Sequence, residues 1–119
     1  MGDYLSKVSR DLQKGWDGYD ADPPNEKARF NATLFLALIE EADECKVRPS
    51  VIGGIGITYR IDDYSFIYVE FQNDGYNGII YSYYNPDVNQ GWEATDKTRS
   101  VSKMIDIFKE FVKKYDRRN

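Results

Sequence analysis

Apolar positions along this chain change their period twice, from 3.6 residues to 2 and back again, and each regime predicts a type of element. Leu5, Val8 and Leu12 share one helical stripe, which predicts a helix over about Asp3 to Lys14 that Gly15 terminates. A second helix is expected from Asn25, whose side chain suits an N-cap, with Glu26 at the positive end of the helix dipole. It should run to about Cys45, with Phe30, Leu34, Ala37, Leu38 and Glu41 in one row and Phe35, Ile39 and Ala42 beside it. So wide an apolar face predicts cover on more than one side.

From Pro49 to Tyr84 the period is 2. Ile55, Ile57, Tyr59 and Ile61 alternate with Gly56, Thr58 and Arg60, and Ser65–Phe71 and Gly78–Tyr84 form two further strands. Asp62-Asp63 and Asn73-Asp74-Gly75 stand where two hairpin turns belong. Val47 to Ile52 adds a short edge strand to the expected sheet, ahead of a turn at Gly53-Gly54. Asn85 to Glu93, with Pro86 and Trp92, reads as an irregular loop, and Thr95 or Asp96 as the cap of a last helix. In that helix Val101, Met104, Ile105, Phe108, Val112 and Tyr115 recur at helical spacing. The pattern predicts a single α+β domain over residues 1–119. Its core is a three- or four-stranded antiparallel meander with two N-terminal helices and one C-terminal helix packed on one face.

Polarity sets the register. Glu70 and Ser82 are polar, and a buried unpaired carboxylate is costly, so their face should point away from the helices. Phe66, Tyr68, Ile80 and Tyr84 share that face with Thr58 and Arg60, while Ile67, Val69, Phe71, Ile79, Tyr81 and Tyr83 point inward. Four large apolar groups are too many for an idle wet surface. Either the Asn85–Glu93 loop folds over them or another chain does.

Composition narrows the chemistry. The chain has no histidine and one cysteine, which removes the commonest general base, the partner of most catalytic Ser or Cys residues and the usual zinc ligands. Lone Cys45 excludes an internal disulfide, and a cytoplasmic setting is the default expectation. The N-terminus lacks a basic stretch followed by an apolar one, and no apolar run approaches the length that spans a membrane. Gly53-Gly54-Ile55-Gly56 lacks the lysine and following helix of a phosphate-binding loop. Asp17, Asp20 and Asp22 invite a metal, but their spacing is not that of a calcium loop, and Pro23-Pro24 restricts the backbone where ligands would converge. The net charge is −4, and between residues 49 and 96 only Arg60 stands against seven acids, which argues against nucleic acid lying there.

Gly15-Trp16-Asp17-Gly18-Tyr19-Asp20-Ala21-Asp22-Pro23-Pro24 resembles the GWDGYGA-x-P element of small uncharacterised bacterial proteins, with Asp20 in place of the usual glycine. Pro49-Ser50-Val51, Gly53-Gly54 and the alternating strand from Ile55 follow in the family's order, so the resemblance covers about residues 12–72. It implies no activity. Trp16 and Tyr19 read as plugs anchoring the loop in the core, with Gly15 and Gly18 permitting the tight path.

Small size, acidity, ten tyrosines and missing catalytic groups together point to a non-enzymatic protein-interaction module of the immunity, antitoxin-like or phage-encoded inhibitor type. It would act through the aromatic sheet face and an acidic surface, with Arg60, Phe66, Tyr68, Ile80 and Tyr84 as the contact residues. The expected partner is another protein or a second copy, with no nucleic acid, membrane or cofactor. The alternative is a metal-assisted enzyme or ligand-binding domain using Asp17, Asp20 and Asp22.

Overall fold

The computed structural model describes residues 22–87 and 89–116 and, of Trp92, the backbone. Helix α1 (Glu26–Ala37) begins where expected: Asn25 Oδ1 accepts the Ala28 N–H at 2.9 Å. Asn25 also exchanges two hydrogen bonds with Asn73, each 2.9 Å, and Asn73 Nδ2 donates to the Pro23 carbonyl at 3.0 Å. These bonds clamp the start of α1 to a sheet turn.

The helix stops earlier than its pattern suggests. It ends at Ala37 with no cation in its last turn, and Ala42–Glu44 form a separate 3₁₀ turn instead of continuing to Cys45. Carboxylates at a helix C-terminus oppose the dipole, so a helix continued through Glu40, Glu41, Asp43 and Glu44 would end on unfavourable charge. Among the described residues the sheet and the last helix both cover the apolar face of α1, Phe35 meeting Phe71 and Phe108, but the cover is incomplete. Ala28, Ala32, Phe35, Leu36 and Ile39 are buried, whereas Phe30 and Leu38 are 68% and 51% exposed and Leu34 is exposed as well.

Five strands follow in a simple antiparallel meander: β1 (Lys46–Pro49), β2 (Gly54–Arg60), β3 (Phe66–Gln72), β4 (Asn77–Asn85) and β5 (Gln90–Thr98). The α+β class stands, but the sheet has five strands rather than three or four. The fifth corrects the expected loop and helix cap. Asn85 pairs with Gln90 across a tight turn, in which Asn85 Oδ1 accepts the Asp87 N–H at 3.0 Å and Asn89 takes a positive φ of 51°. Gln90–Thr98 then pairs along all of β4, with Trp92 opposite Tyr83. Ladder hydrogen bonds make this strand despite its polar composition. Helix α2 (Val101–Tyr115) starts only after it, capped by Ser100, whose Oγ accepts the Lys103 N–H at 3.1 Å.

Among the described residues there are two helices, and both pack on one face of the sheet. The predicted first helix, Asp3 to Lys14, lies outside the described residues, as do Gly15, Trp16, Gly18 and Tyr19. The core joins Ile55, Ile57, Tyr59, Ile67, Val69, Phe71 and Ile79 of the sheet to Phe35 and Leu36 of α1 and to Met104, Phe108 and Phe111 of α2. Phe108 sits at its centre, edge-on to Phe35 and Tyr59 with ring centroids 5.3 and 5.5 Å away. Tyr59 also donates a short hydrogen bond to Asp116, fastening the end of α2 to β2.

Candidate functional site

The outer face of the sheet is built by a strict alternation. β3 reads half-buried, buried, half-buried from Phe66 to Gln72, with Ile67, Val69 and Phe71 closed into the core. Pairing carries the parity across the sheet: Tyr68 lies between Thr58 and Ile80, and Phe66 between Arg60 and Ser82. Phe66, Tyr68, Ile80 and Tyr84 therefore stand on one face with Arg60, opposite both helices. Ile80 is 39% exposed and the other three are half-buried. The Asn85–Glu93 segment does not fold over them; it continues the sheet sideways into β5.

Each ring on this face has a defined setting. The Arg60 guanidinium lies 5.4 Å over the Phe66 ring. Tyr84 meets exposed Tyr64 at 5.6 Å, nearly edge-on, and donates to Asn89 Oδ1 at 2.5 Å. Tyr68 donates to Glu70 Oε2 at 2.6 Å, while Gln72 Nε2 donates to Glu70 Oε1 at 3.2 Å. Burial, then the Glu70 hydrogen bond and charge, push the Tyr68 phenol well above its ordinary value, so it stays a donor at any working pH. Glu70 thus sits mid-face with two donors on its carboxylate.

Two glycines shape the relief. A Cβ on Gly56 would stand 2.5 Å from the Tyr68 hydroxyl, so the tyrosine lies across the space that a side chain would fill. Gly78, in the same row beyond Glu70, has nothing within 4 Å of its Cβ position and leaves a dent between Glu70 and Lys97. Its φ is ordinary, so Gly78→Val should raise stability by about 0.5–1 kcal/mol, as expected when a β-branched residue replaces a strand glycine. Thermal melting checks this; a lower midpoint would mean that the dent is closed.

The acids of the middle segment are not on this face in number. Asp62 and Asp74 cap turns, their Oδ1 atoms accepting the Tyr64, Ser65 and Tyr76 N–H groups at 2.8 Å, and Asp63 in the first of these turns and Asp87 in the β4–β5 turn are exposed. Asp96 pairs with Lys103 of α2 at 3.3 Å. Its carboxyl is held below the usual range, first by the Lys97 N–H and then by Lys103. Only Glu70 and Glu93 share the register of the outer face, and cations border it: Lys46 and Arg48 on β1, Arg60 on β2 and Lys97 on β5. Pattern reading missed Lys46, Arg48, Lys97 and the Gly78 dent. Extending the register to both edge strands places them, Lys46 and Arg48 through β1 and Lys97 through β5.

Elsewhere the chemistry is subdued. The Cys45 thiol is half-buried and donates to the Glu41 carbonyl at 3.3 Å; burial, then Glu41 and Glu44, push it up to about 12. A thiolate nucleophile is therefore absent at neutral pH. The unfolded thiol loses its proton near 9.0 while the folded one holds it to about 12, so stability falls as pH rises through that window. The slope is at most about 1.4 kcal/mol per pH unit, and partial exposure reduces it. Urea midpoints at about pH 8.5 and about pH 10.5 should differ less in Cys45→Ala than in the native chain. Among the described residues no group of three or more Cys, Asp or Glu side chains could hold a metal; Asp22 is exposed, and Asp17 and Asp20 lie outside the described residues. No described helix is long and apolar enough to cross a membrane.

No family model, curated protein or solved structure matches this chain.

Proposed function

We propose that the chain is a non-enzymatic protein-interaction module, of the immunity, antitoxin-like or phage-encoded inhibitor type, that works through the outer sheet face. One observation carries the reading: Phe66, Tyr68, Ile80 and Tyr84 stand together on the face opposite both helices, with no described element lying over them. An apolar, aromatic centre with a charged and polar border is the composition of a binding interface. The absence of histidine and the unreactive Cys45 thiol favour recognition over catalysis.

The partner is another protein or a second copy of this chain. Size-exclusion chromatography with light scattering reads self-association, and affinity capture with the tagged chain reads a hetero-partner. Ile80→Asp and Tyr84→Asp should each remove the association while preserving the far-ultraviolet circular dichroism spectrum. Undiminished association in both variants would refute the reading, and loss only in Phe30→Asp would move the site to α1.

A further inference from the structure

We infer that the occupant of the outer face is an acidic segment of another protein, with carboxylates against the bordering cations and an apolar side chain in the dent over Gly78. This inference rests on the interaction reading of the same face. Its first support is charge. The chain carries a net −4, yet Lys46, Arg48, Arg60 and Lys97 converge on this one surface and are all exposed. None of them forms an ion pair among the described residues: Arg48 donates to the Val47 carbonyl and Arg60 to the Asp62 and Asp63 carbonyls. Exposed cations with no ion pair among the described residues suit complementary charges on another chain.

The face's own carboxylates do not neutralise these cations. Glu70 is engaged by Tyr68 and Gln72, which leaves Glu93 as the one acid of the face without a hydrogen-bond donor among the described residues. Arg48 and Lys97 end the same cross-strand row, Arg48–Gly56–Glu70–Gly78–Lys97. Four strand spacings separate them by about 19 Å, a span that a short extended or helical segment can bridge. Gly78 stands directly opposite Lys97, so the open dent lies beside an exposed lysine that has no ion pair among the described residues. An apolar anchor flanked by acids fits both at once.

The rings favour a protein over single-stranded nucleic acid. Stacking bases need open ring faces beside cations. Here Arg60 already covers Phe66, Tyr84 is set edge-on to Tyr64, and Tyr68 lies across Gly56 with its hydroxyl on Glu70. Phosphates crossing the face would also run over Glu70 and Glu93.

The test pans a displayed library of random peptides, roughly 12 residues long, against the full immobilised chain. The counter-targets are the combined Lys46→Glu, Arg48→Glu, Arg60→Glu, Lys97→Glu variant, and separately Ile80→Asp and Gly78→Val. All four reversals are at exposed positions, and circular dichroism confirms the fold of each variant. Enriched peptides should be net acidic and carry at least one aromatic or aliphatic residue. A synthesised winner should lose about tenfold or more in affinity for the charge variant and weaken from about 50 to about 300 mM salt. It should also bind Gly78→Val less well although that variant melts no lower than the native chain. Neutral or basic winners that depend on Ile80 would overturn the acidic assignment and leave the interaction reading standing. Peptides indifferent to every variant would overturn both. Labelled oligothymidylate that binds the native chain and not the charge variant would replace the protein segment with nucleic acid.

Discussion

Val69→Asp should unfold the protein, whereas Phe66→Asp, three positions earlier on the same strand, should leave it folded. Val69 is 1% exposed and lies between Ile57 and Ile79 in the sheet register, under the helices. Replacing it removes about 2 kcal/mol of apolar burial and places a carboxylate where the sheet offers no charged partner. The combined cost, about 5 kcal/mol or more, is comparable with the whole stability of a domain this size. Phe66 is half-buried on the opposite face, beside the Arg60 guanidinium. A carboxylate there keeps solvent and gains a cation, so the expected cost is about 1 kcal/mol. Far-ultraviolet circular dichroism and urea melts of the two variants decide the matter. If Phe66→Asp unfolds as completely as Val69→Asp, the outer face is covered and the interaction reading fails with it.

The parity behind that contrast was legible because Ile55 to Tyr84 alternates with few exceptions and Asp62-Asp63 and Asn73-Asp74-Gly75 mark the turns. The inward and outward sets on β2, β3 and β4 follow from it directly. β5 was not legible. An edge strand is held by backbone ladder bonds on one side, so Gln90–Thr98 can be polar, and its Thr95-Asp96 pair mimics a helix cap that Ser100 in fact supplies. The length of α1 misled for a different reason: apolar spacing continues through Leu38 and Ile39, but four acids then make a continued helix C-terminus unfavourable. Phe30 and Leu34 belong to the helical pattern without belonging to the core, because among the described residues the sheet and α2 close over the Ala28–Ala32–Phe35–Leu36 line and leave these two exposed.

Charge along the chain was the least reliable guide to charge in space. The segment with seven acids contributes most of them to turns, and the cations that border the outer face come largely from the segments on either side, Lys46 and Arg48 before it and Lys97 after it. Antiparallel pairing brings these distant positions onto one surface. An acidic protein can therefore present a cation-edged face, which linear blocks of charge conceal.

Gly54→Ala should be the most damaging single-methyl addition in the sheet, costing about 3 kcal/mol or more. Gly54 opens β2 with φ at 136°, a conformation that a side chain strains. A Cβ there would stand 2.1 Å from the Phe71 carbonyl oxygen and 2.9 Å from the Gln72 Cα, both backbone atoms of the paired strand that cannot turn aside. The neighbouring bonds show what would be lost: Ser50 N–H to the Gly54 carbonyl at 2.9 Å and Asn73 N–H to the Gly53 carbonyl at 3.1 Å. Together they fix where β2 starts against β3. The start matters for function, because a slip of one residue would send Thr58 and Arg60 inward and Ile57 and Tyr59 outward. Gly53→Ala is the control. Its φ of 94° is also strained, but its Cβ would meet the side chain of Asn73 at 3.1 Å rather than backbone, so about 1–2 kcal/mol is expected. Urea melts of the two variants should rank them in that order, and partner capture should fail in whatever Gly54→Ala chain remains folded. Equal stabilities would mean that β2 can shift to admit the methyl group, and the register would then be less firmly held than these contacts imply.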